Sequence, residues 1–255
     1  MNTPLIEACV DSYASCQAAY RGGADRLELC ANLIIGGTTP SPALFRQVRR
    51  DVPLKINVLI RPRFGDFLYS AAELEQMCDD VSMFRELGAD GVVFGVLTPD
   101  GDLDRKAMRR LMDCAGTMDV TLHRAFDMTR DSFGALEDAI ALGCRTILTS
   151  GQQQSAPAGA PLLRELYRAA DGRIDIMAGS GVKSRNISAI HAQTGIVVYH
   201  TSARGAVIDS GMRYRRQSVS MGLPSLSEYE LWQTDEAEVR ACAQLVHALA
   251  RGGAE

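Results

Sequence analysis

No CxxC pair occurs in these 255 residues, although the chain has seven cysteines. Their odd number and the scatter of Cys9, Cys16, Cys30, Cys78, Cys114, Cys144 and Cys242 exclude a disulfide framework and a structural zinc site. Reduced thiols in a cytoplasmic protein are expected instead. No Pro/Ser-rich or low-complexity stretch divides the chain, so a single domain over residues 1–255 is expected. No apolar segment approaches the ~20 residues needed to cross a bilayer. The start, "MNTPLIEAC", lacks the charged region and long apolar stretch of a signal peptide. Positive charge is not in excess either: the formal net charge is −4, and the one basic cluster is "RYRRQ". Neither nucleic acid nor membrane is an expected partner. No G-x-G-x-x-G follows the first apolar run, which removes the usual dinucleotide reading.

What the chain does contain is alternation. Apolar runs at Leu5–Val10, Arg26–Cys30, Leu54–Ile60, Gly91–Val96, Val120–Phe126, Thr146–Ser150, Ile174–Ala178 and Ile196–Thr201 read as strands. Helix punctuation lies between them. "SPALFRQVRR" offers Ser41 as N-cap and Pro42 at the first helical position. Ser70 and Glu73 form a capping box, and Gly88 stops that helix. A last helix starts after Thr234 as cap and has Gly252 near its end. "RGGADRLEL", "ELGADGVVF" and "ALGCRTILT" repeat one unit of helix end, glycine turn and strand. Eight strands alternating with helices over this length indicate an α/β fold, the (β/α)8 TIM barrel. A doubly wound open sheet is the alternative.

Strand side chains alternate, so parity separates inward from outward residues. Ile6, Ala8 and Val10 turn to the helices, leaving Glu7 and Cys9 inside. Leu27 and Leu29 face out, leaving Arg26, Glu28 and Cys30 inside. Ile56, Val58 and Ile60 face out, leaving Lys55, Asn57 and Arg61. His123 points inward from the fifth strand, and His200 is placed inside on the eighth. Charges in such an interior must satisfy one another or bind something, because buried ion pairs seldom add net stability. One reading is an internal network of Glu7 and Glu28 with Arg26 and Arg61. The other is a site at the C-terminal strand ends, where Arg61, His123 and His200 fall.

Two loops extend the second reading. "AGSGVKSRN" follows the seventh strand and "HTSARG" the eighth, the pair that often cradles phosphate in this fold. Gly179, Ser180 and Gly181 would let backbone N–H groups approach an anion, with Ser202 and Arg204 opposite. The stretch from Gly205 to Gln233 is too long for an ordinary connection. Its Val219, Met221, Leu223, Leu226, Tyr229 and Trp232 suggest packing at the barrel mouth or at a dimer interface.

"GGADRLELC", "GGTTPS", "IRPRFGDFLYS", "LGADGVVFGVL", "HRAFDM", "LTSG" and "SGMRYR" closely resemble the CutC family, called copper-homeostasis proteins. The resemblance runs from about Leu5 to Met221. It implies a TIM barrel, a cytoplasmic location, frequent dimers and Cu(I) bound by two cysteines, which match Cys9 and Cys30. The family pattern R-P-R-G-G-D-F departs here at Phe64, which replaces the first glycine.

Two functions stand. In the first, Cys9 and Cys30 on neighbouring strands hold copper, since thiolates suit soft Cu(I). In the second, the chain is an enzyme acting on a small anionic substrate, phosphorylated or not. Arg26, Asn57, Arg61 and the Gly179–Gly181 loop then bind the anion, Glu7 or Glu28 and His123 move protons, and His200 orients.

Overall fold

The computed structural model describes residues 3–216, 218–219, 221–222 and 226–250. Its centre is a closed parallel barrel with strands in sequence order: β1 (Leu5–Val10), β2 (Arg26–Leu29), β3 (Lys55–Leu59), β4 (Gly91–Phe94), β5 (Asp119–Leu122), β6 (Thr146–Thr149), β7 (Asp175–Ala178) and β8 (Val198–Thr201). The connecting helices are α1 (Tyr13–Gly22), α2 (Pro42–Asp51), α3 (Ala71–Glu86), α4 (Arg105–Ala115), α5 (Ser132–Leu142), α6 (Ala160–Ala170) and α7 (Ser184–Thr194). Pairing of β1 with β8, Glu7 opposite His200, closes the ring. This is the TIM barrel expected from the alternation.

The parity reading holds for the strand interiors, while Lys55, expected inside, is exposed at the floor end of β3. Ile6, Ala8, Val10, Leu27, Leu29, Ile56, Val58 and Ile60 are buried in one core shared with the helices. Each large aliphatic side chain there contributes about 1.5–3 kcal/mol by leaving water. The opposite faces form two small apolar clusters inside the barrel: Cys9, Cys30, Leu59 and Val93, and Leu148, Met177 and Val198. Between these sit the charged residues. Gly91 is a glycine for a steric reason: a Cβ there would lie 2.5 Å from Oδ1 of Asn57.

Helix starts follow the punctuation closely. Ser41 accepts from the Leu44 N–H, and Ser70 with Glu73 closes a capping box. The last helix, α8 (Glu236–Leu249), is capped by Asp235 and not by Thr234, because the carboxylate accepts from both Ala237 and Glu238 N–H groups. Gly252 lies outside the described residues. β1 spans the expected Leu5–Val10, and the other seven strands run shorter than their apolar sequences. The fifth leaves the sheet after Leu122, and Arg124–Met128 forms a tight 3-10 turn whose Ala125 and Phe126 are buried as a cap on the core.

After β8 the chain forms a two-stranded antiparallel ribbon, β9 (Arg204–Asp209) with β10 (Glu230–Thr234). Its base is tied to α1, where the Thr234 N–H donates to Ser15 Oγ at 3.2 Å. Val207, Ile208, Leu231 and Trp232 remain exposed along it, as do Val219 and Met221 in the connecting segment. Leu223 lies outside the described residues. Among the described residues no helix is long and apolar enough to cross a membrane.

Candidate functional site

Glu7 is the fixed point of the interior. It is wholly buried and accepts Arg26 Nε at 2.5 Å and His200 Nδ1 at 2.8 Å. Burial pushes its carboxyl up, but the Arg26 and His200 charges outweigh that and hold it at about 2. Because Nδ1 of His200 is engaged by Glu7, its Nε2 is left for the barrel mouth. Burial alone would lower the His200 imidazolium, yet the carboxylates of Glu28 and Glu7 and the Cys9 sulfur keep it well above its ordinary range.

One step up the strands, Cys9 Sγ donates to Glu28 Oε1 at 3.2 Å and lies 3.9 Å from Cys30 Sγ. Cys30 in turn contacts the Val10 carbonyl at 3.5 Å. The ligand atoms of Cys9, Glu28 and His200 all fall within 4.8 Å of one another. The Cys9 thiol is pushed well up, first by its contact with Cys30 and then by burial and the Glu28 charge. Contact with Cys9 pulls the Cys30 thiol down, but burial and Glu28 leave it raised. Burial likewise raises Glu28, against the pull of His200.

A cavity of about 270 Å³ opens over this group at the C-terminal end of the barrel. Cys9, Glu28, Arg61, His123 and His200 line it, with Phe67 and Leu148 among its apolar walls. Arg61, just beyond β3, is held by carbonyls on two loops: Gly37 at 3.0 Å and Gly65 at 2.7 Å. Its guanidinium also lies 5.2 Å from the Phe67 ring centroid. Phe64 does not obstruct the mouth. It projects into solvent, while Gly65 at φ +99° turns its carbonyl to Arg61. His123 Nδ1 accepts the Ala125 N–H at 3.2 Å. Burial, then the Arg61 charge, lowers His123 to about 3, so the ring is neutral.

Other expected site residues are placed elsewhere. Arg26 opens β2 at the floor of the barrel, where its charge is taken up by Glu7. It lines a floor cavity with Lys55, Asp119 and Asp175, so it is not an anion ligand at the mouth. Asn57 is buried at mid-height against Gly91 and does not line the mouth cavity.

The expected cradle after β7 and β8 is closed by the chain itself. Gly179 N–H donates to Thr149 O, and Ser180 binds Gln154 and Ala156. Gly181 O accepts from Asn186. At the start of α7, Ser184 N–H and Oγ both donate to the Glu238 carboxylate, at 2.8 and 2.9 Å. A carboxylate of α8 thus occupies the helix N-terminus where a phosphate was expected. The Ser202 carbonyl accepts from Thr234 at 3.4 Å, and the Arg204 guanidinium stacks over Trp232 at 5.3 Å. None of these five residues lines the mouth.

Sequence reasoning also missed a hub. Asp127 accepts from Arg124 Nε, Thr149 Oγ1, Ser150 N–H and Oγ, and Gln152 N–H. The "HRAFDM" and "LTSG" segments are therefore one interlocked rim. The sequence signal was the short polar run Thr149–Ser150–Gly151 at the end of the sixth strand.

Residues 4–205 match the model of the CutC family. A CutC family protein of Chromobacterium violaceum is 50% identical over 237 residues, covering 93% of this chain and 96% of the relative. The human copper homeostasis protein cutC homolog is 47% identical, over 92% of this chain and 86% of the relative. A CutC crystal structure from Streptococcus agalactiae superposes with a TM-score of 0.75 at 30% identity, covering 78% of this chain and 99% of that one. Thiamine phosphate pyrophosphorylase from Pyrococcus furiosus superposes at 0.58 with 13% identity over 96% of both chains, a likeness of fold alone. Barrel, motifs and relatives agree, and the chain belongs to the CutC family.

Proposed function

We propose that this chain takes part in copper homeostasis by binding one Cu(I) ion at the barrel mouth through Cys9 and Cys30. The observation that carries the reading is the 3.9 Å between the two sulfurs on adjacent strands. Two metal–sulfur bonds of about 2.3 Å span that distance at an angle of about 120°, which leaves room for a third donor. His200 Nε2 is that donor, since Glu7 on Nδ1 orients the ring as carboxylate–histidine pairs do at metal sites. Glu28, a hard oxygen donor, suits Cu(I) least. Both thiols and the His200 imidazolium are protonated before binding, so loading releases protons and affinity rises with pH.

The test is a Cu(I) competition titration under reducing conditions. Binding energies of about 10–16 kcal/mol at four-ligand structural zinc sites correspond to roughly 2.5–4 kcal/mol per ligand. Cys9→Ser and Cys30→Ser should therefore each weaken binding by about 10²–10³-fold, while Cys78→Ser leaves it unchanged. Equal affinities across all four proteins would remove the copper reading.

In the same proposal the protein is cytoplasmic, which its free cysteines suit, and homodimeric through the β9–β10 ribbon. Exposed Leu231 and Trp232 support that interface. Trp232→Arg should shift the mass seen by light scattering from dimer to monomer at micromolar concentration. An unchanged mass would place the interface elsewhere or leave the chain monomeric.

A further inference from the structure

Three polar atoms around the mouth have no hydrogen-bond partner: Glu28 Oε2, Arg61 Nε and His123 Nε2. All three residues are buried and all line the same cavity. Native proteins rarely leave such groups unpaired, because each costs about 1–3 kcal/mol. Copper bound between Cys9 and Cys30 satisfies none of the two donors, since a cation cannot accept a hydrogen bond.

The donor and acceptor pattern is fixed by the neighbours. His123 accepts on Nδ1 from Ala125, so its proton is on Nε2, which is a donor. Arg61 gives one N–H of each terminal nitrogen to the Gly37 and Gly65 carbonyls, and its buried Nε–H has no partner. Among the described residues no carboxylate forms an ion pair with Arg61. Arg124 also reaches the cavity but is committed to Asp127 at 2.7 Å. The uncompensated charge at the mouth is therefore the single positive charge of Arg61, facing a neutral His123. Glu28, which lines the same cavity, spends Oε1 on Cys9 and offers Oε2 as an acceptor.

We propose that the mouth is a binding site for a small organic carboxylate that also carries a hydroxyl or amine. Its carboxylate accepts from Arg61 Nε and His123 Nε2, and its hydroxyl or amine donates to Glu28 Oε2. One charge matches a carboxylate better than a phosphate dianion, and the usual phosphate cradle of the fold already holds Glu238. A volume of about 270 Å³ fits a molecule at the small end of ligand pockets. Leu33, Ile35 and Phe67 line the walls and keep water from competing. The site stands independently of the copper reading.

The experiment is calorimetric titration of copper-free protein at matched ionic strength with four probes: glycerate, propionate, glycerol and inorganic phosphate. Glycerate combines the carboxylate and the hydroxyl; propionate lacks the hydroxyl, glycerol lacks the charge, and phosphate replaces the carboxylate with a more highly charged anion. It should bind at least about tenfold more tightly than any of them, as expected where a site's buried polar groups would otherwise stay unpaired. Arg61→Gln should lose at least about tenfold for glycerate. Because Arg61 also ties two loops, Glu28→Gln serves as a second variant that keeps shape; it should weaken glycerate and leave propionate unchanged. Cys30 does not line the cavity, so Cys30→Ser should keep full glycerate affinity while losing Cu(I), which separates this proposal from the previous one. Glycerate no tighter than propionate, or full affinity in both the Arg61 and Glu28 variants, would overturn the site. Phosphate binding more tightly than glycerate would overturn the carboxylate assignment.

Discussion

Replacing Glu7 by leucine should destabilise the protein by about 3–5 kcal/mol, more than any other single interior change. The side chain is fully buried between Arg26 and His200, and its removal leaves two buried cations without a counter-charge. Breaking one partner of such a group costs about 3–5 kcal/mol, even where the intact pair adds little over an apolar replacement. For a chain of this size the melting temperature should fall by about 6–20 °C. The double variant Glu7→Leu/Arg26→Met removes one orphaned charge along with the acid. It should recover part of the loss, giving a non-additive cycle. Urea unfolding of the four proteins measures this. A single-variant loss below about 1 kcal/mol would mean that water reaches the group and screens it.

The second large effect is with pH. His123 has its folded value at about 3 against an ordinary 6.5, so below 6.5 the unfolded chain takes up a proton that the native ring refuses. The unfolded state then binds more protons, and stability rises with pH across this window. It is fully present above 6.5 and falls by about 1.4 kcal/mol per unit as the pH drops toward 3. From pH 6.5 to 4.5 the expected loss from His123 is about 2–3 kcal/mol, and Glu28, raised in the folded state, acts with the opposite sign. Glu7 adds its own acid sensitivity only below its ordinary 4.5, down to about 2. His200, raised in the folded state, has the opposite sign and acts above 6.5, so it is silent here. Denaturant unfolding at pH 4.5, 5.5 and 6.5 should therefore show a shallower slope for His123→Leu than for the natural chain, whatever its absolute stability. Parallel slopes would assign the acid sensitivity to other groups.

Parity was enough to find the centre of the site, because a parallel barrel buries both faces of each strand. Any acid inside an apolar run then has one place to go. Glu7, Cys9 and Glu28 were legible on that ground. Height along the axis was not. Arg26 shares a face with Glu28 but sits two residues nearer the floor, and that distance separates a structural counter-ion from a mouth ligand. Loop contacts were illegible for a different reason. The Asp127 hub joins residues 22 to 25 positions apart, and Glu238 reaches across 54. Glu238 replaces an expected ligand contact with an internal one, and no local pattern of charge or periodicity encodes such distances. The fifth strand was read too long because Ala125 and Phe126 are apolar for packing and not for pairing.

The hydrogen bond between Glu7 and His200 crosses the seam where the barrel closes, joining residues 193 positions apart. Its meaning lies in the order of events during synthesis. At about 5–20 residues per second, roughly 10–40 s separate the emergence of Glu7 from that of His200. Until then β1 lacks its β8 neighbour, and Glu7 and Cys9 lack the His200 ring that the closed barrel sets beside them. The same last segment brings Glu236 to Arg21 and Thr234 to Ser15. A nascent chain therefore carries its thiols early and their histidine neighbour late. Closure of the ring and completion of the site are a single step.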